Sequence, residues 1–267
     1  MQPPIHAPRT AEALLTGGRL LRRAFMEAPG FSAARGTVIV AANDPDPPIL
    51  MIHRGTAYRS ITVPDGRRAI VDFFLPTNFV GLDRVVTGPS EQEIIAASGL
   101  SYRALSAATL RDLIRNDSVA LSVFALLAEQ RRRVDQHILT LARFDARERI
   151  CGFVLGVYER LRRSELISRP TFNLPLNQDQ MADHLGMTMV HVSRTLRRLR
   201  EEQLLLVDRQ VAIVLDVEGV REVATGSRHG RAHELAEISE AGACPANASA
   251  FASDLRRRSA RQRVRSG

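Results

Sequence analysis

An α+β chain is predicted, made of an antiparallel β region, one long helix and a compact helical unit closed by a hairpin. Three observations predict it. Between Gly30 and about Ser106, short β-rich runs alternate with turns containing Pro and Gly. Beyond Asp117, apolar residues recur at spacings of four and three. Between Leu176 and Leu215, two short helical patterns flank a glycine and lead into two apolar runs around a polar turn.

The 267 residues suit one large domain or two small ones, and 45% apolar with 25% charged residues is ordinary for a globular protein. No run is long and apolar enough for a membrane span. The first thirty residues interleave Arg9, Glu12, Arg19, Arg22 and Arg23 with no apolar stretch, so no secretory signal is expected. Cys151 and Cys244 are too few for a disulfide framework or a four-cysteine metal site. These features predict a cytoplasmic protein without membrane contact. Net charge is +8 and every basic residue is Arg, a composition bias that makes the placement of arginines more informative than their number. A pI near 10.8 fits a polyanionic partner or a solvated basic surface.

Residues 1–18 hold Pro3, Pro4, Pro8, Gly17 and Gly18 without a strong period and read as a loose arm with one short helix at most. Strands are expected at Thr37–Val40, from Pro48 to Ile52, and over Thr56–Val63, Ala69–Leu75 and Glu93–Ala97. Pro64-Asp65-Gly66-Arg67 is a hairpin turn: Pro presets φ, and Asp and Gly tolerate positive φ. Short strands with turns every 8–12 residues suggest a small barrel or sandwich. Asp117 is placed to cap a long helix. Along it, Ala120, Phe124, Leu127, Arg131, Val134, Ile138 and Leu141 form a heptad seam interrupted once, by Arg131. A helix packed on its own sheet is the alternative. Self-association into a homodimer is favoured because the stripe is narrow and flanked by Arg131-Arg132-Arg133. A second helix from about Asp145 carries Ile150, Phe153, Val154, Val157, Tyr158 and Leu161 at helical period. Pro170 and Pro175 bracket a connector. Residues 227–267 hold Arg-rich, apolar-poor sequence and are expected to be a disordered basic tail.

Residues 177–203 carry the functional signal. Asn177 with Gln180 three positions on is a capping-box pattern. Met181, Ala182 and Leu185 share one face, and Gly186 supplies a left-handed stop. Thr188 can cap the next helix, where Val192, Leu196 and Leu199 point inward. His191, Ser193, Arg194, Arg197 and Arg198 take the outer face. That is a helix-turn-helix pattern. Arg can pair in bidentate fashion with guanine O6 and N7 in the major groove, and further arginines can hold phosphates. The runs Leu204–Val207 and Val211–Leu215 around Asp208-Arg209-Gln210 read as a β-hairpin wing, and Asp216 as the cap of a last short helix through Val223.

Leu176–Leu206 resembles the DNA-binding domain of the Crp/Fnr family of bacterial transcription regulators. The match lies in Ala182-Asp183-His184-Leu185-Gly186-Met187-Thr188, Val192-Ser193-Arg194-Thr195-Leu196 and Arg198-Leu199. More weakly, Pro64–Arg68 and Phe74–Gly81 resemble that family's β-roll sensor. The resemblance covers roughly residues 20–224. It implies a jelly-roll-like antiparallel β-roll over 19–106, a dimerisation helix over 107–143 and a winged helix-turn-helix over 144–226; the arm at 1–18 and the tail at 227–267 lie outside it. It implies that Arg194 reads a guanine, and that Asn177 and Thr188 hold phosphates. Gln178, Met189, Val190, His191, Ser193, Arg197 and Arg198 complete the expected DNA-binding set. Val190 stands where well-known members place a cytosine-reading Glu, so that contact is lost or replaced, by His191 or by Val190 on a thymine methyl.

The same resemblance bears on ligands. Cyclic-AMP-binding members carry Gly-Glu and Arg-Ser pairs; here Gly81 precedes Leu82, and Glu91-Gln92-Glu93 stands where Arg-Ser falls. A carboxylate there repels a phosphate, so cyclic AMP is not the expected ligand. No Cys precedes Cys151, which removes the family's iron–sulfur cluster. His53 and His6 are lone candidates for haem, and Cys151 reads as a small buried residue rather than a redox sensor. No cofactor is expected. No phosphate loop, HExxH or GxSxG points to an enzyme. The expected partners are double-stranded DNA and a second copy of the chain, with RNA polymerase and an unknown small-molecule effector as further candidates. The alternative is a regulatory module that does not bind DNA and presents its roll to a protein.

Overall fold

The computed structural model describes residues 7–226. The expected tail at 227–267, Cys244 and His6 lie outside them. The elements in chain order are α1 (Ala7–Glu27), β1 (Gly30–Ala33), β2 (Val38–Val40), β3 (Ile49–Arg54), β4 (Ala57–Thr62), β5 (Arg68–Phe74), β6 (Phe79–Val80), α2 (Arg84–Thr87), β7 (Glu93–Ala96), β8 (Leu100–Leu105), α3 (Ala107–Leu113), α4 (Asp117–Arg143), α5 (Ala146–Arg163), β9 (Thr171–Asn173), α6 (Gln178–Leu185), α7 (Met189–Glu201), β10 (Leu205–Asp208), β11 (Val211–Val214) and α8 (Val217–Ala224).

The β region is two four-stranded antiparallel sheets, ordered β1-β8-β3-β6 and β2-β7-β4-β5. Side chains alternate across a strand, and both faces of these strands are used. Ala57, Phe74 and Ile94 point into the roll, where they meet Leu50, Ile52 and Val80 of the other sheet. Their neighbours Tyr58, Phe73 and Ile95 join the core of the C-terminal unit instead. On the far side, Ile49 and Met51 pack against Leu21, Phe25, Leu110, Val119 and Val123 from α1, α3 and α4. Burial on both faces explains why β3 and β4 begin with four consecutive buried residues.

The N-terminal arm needs correction. Residues 7–27 form one helix, α1, which packs along α4 and crosses the expected boundary at 18/19. Leu21 and Phe25 are fully buried, each such burial contributing about 1.5–3 kcal/mol. Gly17 allows the approach: a Cβ there would stand 1.8 Å from the Ser118 carbonyl oxygen. Gly17 is a contact point between two helices. A smaller correction concerns α4, whose cap is Asn116 rather than Asp117; the Asn116 side chain accepts from the backbone N–H of Ser118 and Val119.

The C-terminal unit runs from α5 to α8. Asp145 and Glu148 form a capping box at the start of α5. Ile150, Phe153, Val154, Val157, Tyr158 and Leu161 are all buried in the unit's core. The wing has three strands, ordered β10-β11-β9. The third, β9, lies inside the connector between Pro170 and Pro175, too short for a strand pattern to register.

Candidate nucleic-acid interface

The helix-turn-helix is assembled by local bonds. Asn177 Oδ1 accepts from the Gln180 backbone N–H at 2.8 Å, and Gln180 Oε1 accepts from the Asn177 N–H at 3.0 Å. Gly186 takes φ +62°, and the Met187 N–H closes the turn onto the Ala182 carbonyl. Thr188 Oγ1 accepts from the His191 N–H at 3.2 Å. The inner face of α7 buries Val192, Thr195, Leu196 and Leu199. Its outer face leaves Met189, Val190, His191, Ser193, Arg194, Arg197 and Arg198 exposed. Val190, Arg194 and Arg197 follow one another at spacings of four and three, along the middle of that face. Asn177 and Gln178 sit half-buried at the other helix's N-terminus.

The arginines differ in what holds them. Arg194 makes no hydrogen bond or ion pair among the described residues. Arg197 pairs with Glu201 at 3.0 Å and Arg198 with Glu202 at 3.0 Å. Glu202 also accepts from Arg147 of α5, tying the end of α7 to its own core. Burial alone would raise the Glu202 carboxyl, but the hydrogen bonds from Arg147 and Arg198 outweigh it and hold it below the usual carboxylate range. The pairs of Arg197 and Arg198 are solvent-exposed on the Arg side and therefore weak. The sequence reading missed Arg209. It sits at the tip of the hairpin with φ +53° and makes no hydrogen bond or ion pair among the described residues. Its position between two strand-like runs was the available signal.

The first helix faces elsewhere. Arg68 of β5 donates from Nε and Nη2 to Asp183 Oδ2 of α6, at 2.8 and 2.5 Å. His184 Nδ1–H donates to the Ile70 carbonyl of β5 at 2.8 Å. The His184 ring stacks on His137 of α4, with centroids 4.2 Å apart and planes within 3°. Burial first, and the neighbouring His137 second, push the pKa of His184 down to about 3. Burial also lowers His137. Thr56 Oγ1 donates to the Pro175 carbonyl at 3.3 Å. The roll and the helix-turn-helix thus meet through β5 and α6, while α7 stays uncovered.

The seam residues split. Phe124 and Ile138 are 69% and 57% exposed, and Val134 and Leu141 are also exposed. Arg131 is exposed and pairs with Asp135 at 2.8 Å. Ala120 and Leu127 are half-buried, with Leu127 against the cluster shared by α1 and the roll. In the roll, Gly81 has φ +80°, and Leu82 is buried in that same cluster rather than facing the interior. Cys151 is buried, and burial pushes its thiol up to about 12. His53 is exposed. Among the described residues no group of His, Cys, Asp or Glu is placed to hold a metal ion, and no helix is long and apolar enough to cross a membrane.

These features define a winged helix-turn-helix joined through a long helix to an antiparallel β-roll. Residues 148–223 match the family described as the Crp-like helix-turn-helix domain. The transcriptional activatory protein AadR of Rhodopseudomonas palustris is 28% identical over 158 residues, 58% of this chain and 64% of that protein. The nitrogen fixation regulation protein FixK of Bradyrhizobium diazoefficiens is 31% identical over 138 residues, 51% of this chain and 57% of that protein. The chain therefore spans somewhat under two thirds of these two relatives. The solved structure of FixK2 from Bradyrhizobium japonicum superposes with a TM-score of 0.65 at 25% identity, over 73% of this chain and 96% of that one. The chain is thus similar to Crp/Fnr-type regulators, with the family match itself covering residues 148–223. The relatives carry the names of regulators rather than enzymes, as the sequence reading expects.

Proposed function

We propose that the chain is a sequence-specific transcription regulator that binds a pseudo-palindromic DNA site as a homodimer. One observation carries this reading: Arg194 stands unpaired in the middle of an exposed helix face whose opposite face is fully buried. Arg194 reads a guanine through O6 and N7. Val190, 63% exposed, meets a thymine methyl, and His191 reaches a neighbouring base edge. Asn177, Gln178, Thr188, Ser193, Arg197 and Arg198 hold the backbone, with Met189 at the helix entry. Arg197 and Arg198 exchange their weak pairs with Glu201 and Glu202 for phosphates. Two copies pair along α4 through Phe124, Val134, Ile138 and Leu141, flanked by Ala120, Leu127 and Arg131. That sets two recognition helices one DNA turn apart, about 34 Å. RNA polymerase is the further partner such a role implies. The roll does not take cyclic AMP, because Leu82 is committed to packing and Glu91 and Glu93 repel a cyclic phosphate. The exposed, unobstructed α7 speaks against a purely protein-directed module.

The test is binding to genomic DNA fragments at two salt concentrations, by the wild type and by Arg194→Ala. A site-selective, salt-sensitive complex is expected, and the substitution should cost about 1–3 kcal/mol at the selected site. Equal binding of all fragments by both proteins would reject groove reading.

A further inference from the structure

A cleft of about 440 Å³ lies where β5, the C-terminal half of α4, α5 and α8 meet. It is outside the roll interior and away from the outer face of α7. Its walls carry Arg132, Arg133, Arg149, Arg160, Arg163 and Arg221 against three carboxylates. Each of those carboxylates has an Arg beside it, although Asp72 Oδ2 accepts no hydrogen bond among the described residues. Glu129 pairs with Arg132 at 2.8 Å, Glu159 with Arg221 at 2.6 Å, and Asp72 with Arg133 at 3.6 Å.

Three cations are left with neutral acceptors only. Arg149 donates to the backbone carbonyls of Phe144, Leu185 and Leu141. Arg160 donates to the Phe73 carbonyl and to Asn78 Oδ1. Arg163 reaches one carbonyl, that of Glu159. The Arg133 Nε is buried without a hydrogen-bond partner. Burial, reinforced by the charge of Arg133, lowers Arg160 to about 10, with Asp72 opposing. Arg133, Arg149 and Arg160 are like charges at least partly confined in the wall, costly until an anion compensates them, while Arg163 stands exposed at the mouth. The rest of the wall is flat and apolar. Phe73 and Phe153 meet edge to face at 5.4 Å, and the His137–His184 stack adjoins them. The volume is in the range of small-molecule sites.

We propose that this cleft binds a small organic phosphate, its phosphate held by Arg133, Arg160 and Arg163 and its flat body set against Phe153 and His137. Pairing along α4 leaves the site open. Val134 is shared by the seam and the rim of the cleft, but Arg133, His137 and Thr140 line the cleft at helical spacing on a different side of α4 from Arg131 and Ile138, so the phosphate-holding wall lies off the seam. Because the walls come from the roll, the long helix and the winged unit together, an occupant bridges all three. Binding itself stands whether or not the chain reads DNA.

The experiment is titration calorimetry on the full chain with phenyl phosphate and pyrophosphate, with tricarballylate as the carboxylate arm. Saturable binding of phenyl phosphate is expected, with pyrophosphate weaker because it lacks the ring. Arg163→Gln and Arg133→Gln should each weaken it about tenfold or more, while Arg194→Ala should bind as the wild type. Arg163 is exposed, so that variant keeps the fold, and melting curves check both. Three results would overturn the assignment: no saturable binding of either phosphate, undiminished binding by both cleft variants, or loss in Arg194→Ala. Tricarballylate binding as tightly as phenyl phosphate would overturn the phosphate class.

Discussion

The two helices of the helix-turn-helix share one core and differ in what meets their polar faces. On α6, Asp183 and His184 are both engaged by β5 of the roll. On α7, the corresponding outer face is unpartnered at Arg194 and only loosely occupied at Arg197 and Arg198. One helix is held by the chain itself, and the other is left for something outside it. Since Gly186 and the Thr188 cap join them by a short rigid turn, a shift of β5 that moves α6 moves α7 as well. A ligand can drive that shift only as far as its affinity differs between the two positions.

The largest expected effect separates the long helix from both. Phe124→Glu with Ile138→Glu places charge on the two most exposed seam positions without entering the core. Light scattering should report monomers. Affinity for the selected DNA site should fall toward the non-specific level, roughly a thousandfold or more, while the β5–α6 contacts and the melting temperature change little. Leu127 is a poorer choice because it also packs against α1 and the roll. An intact dimer would mean that the copies meet elsewhere.

The second effect probes the held side. His184 is neutral in the folded chain, with a pKa near 3 against 6.5 unperturbed. Between those values the unfolded chain takes up a proton that the folded chain refuses. Stability from this residue is therefore complete above about pH 6.5 and is lost as pH falls toward 3. The loss by pH 4 should be about 3 kcal/mol, with His137 adding in the same direction. Urea midpoints from pH 7 to 4 should fall more steeply for the wild type than for His184→Gln. Parallel slopes would show that the stack is hydrated and α6 is not gripped there.

What could be read from the chain divides along the same line. The caps at Asn177 and Thr188, the stop at Gly186 and the buried run Val192–Leu196–Leu199 depend on residues within one or two helical turns, so the exposed face followed from spacing alone. The grip on α6 did not. Arg68 and Asp183 lie 115 residues apart, and Ile70 and His184 lie 114 apart. Nothing local in Asp183-His184 tells a salt bridge from a solvated pair. Helix α1 was lost for a related reason. Its glycine pair reads as a break until the partner backbone at Ser118 is present. The two-faced burial of β4 and β5 was equally hidden, because each outward residue finds its cover in a unit that follows much later in the chain.

The smallest effect sharpens the comparison most. The Arg68 and Asp183 side chains are 32% and 27% exposed, so their bond is screened and contributes at most about 1 kcal/mol. Arg68→Gln should barely move the melting temperature. It should also leave Arg194 exposed and site selection intact, since no contact of α7 is touched. What it removes is the charged part of the link between β5 and α6, leaving the His184–Ile70 hydrogen bond as the remaining polar grip. A double-mutant cycle with Asp183→Asn should then give a coupling below about 1 kcal/mol in stability. If Arg68→Gln instead costs as much stability as His184→Gln, the two contacts form one cooperative clamp, and the separation of α6 from α7 rests on charge as much as on packing.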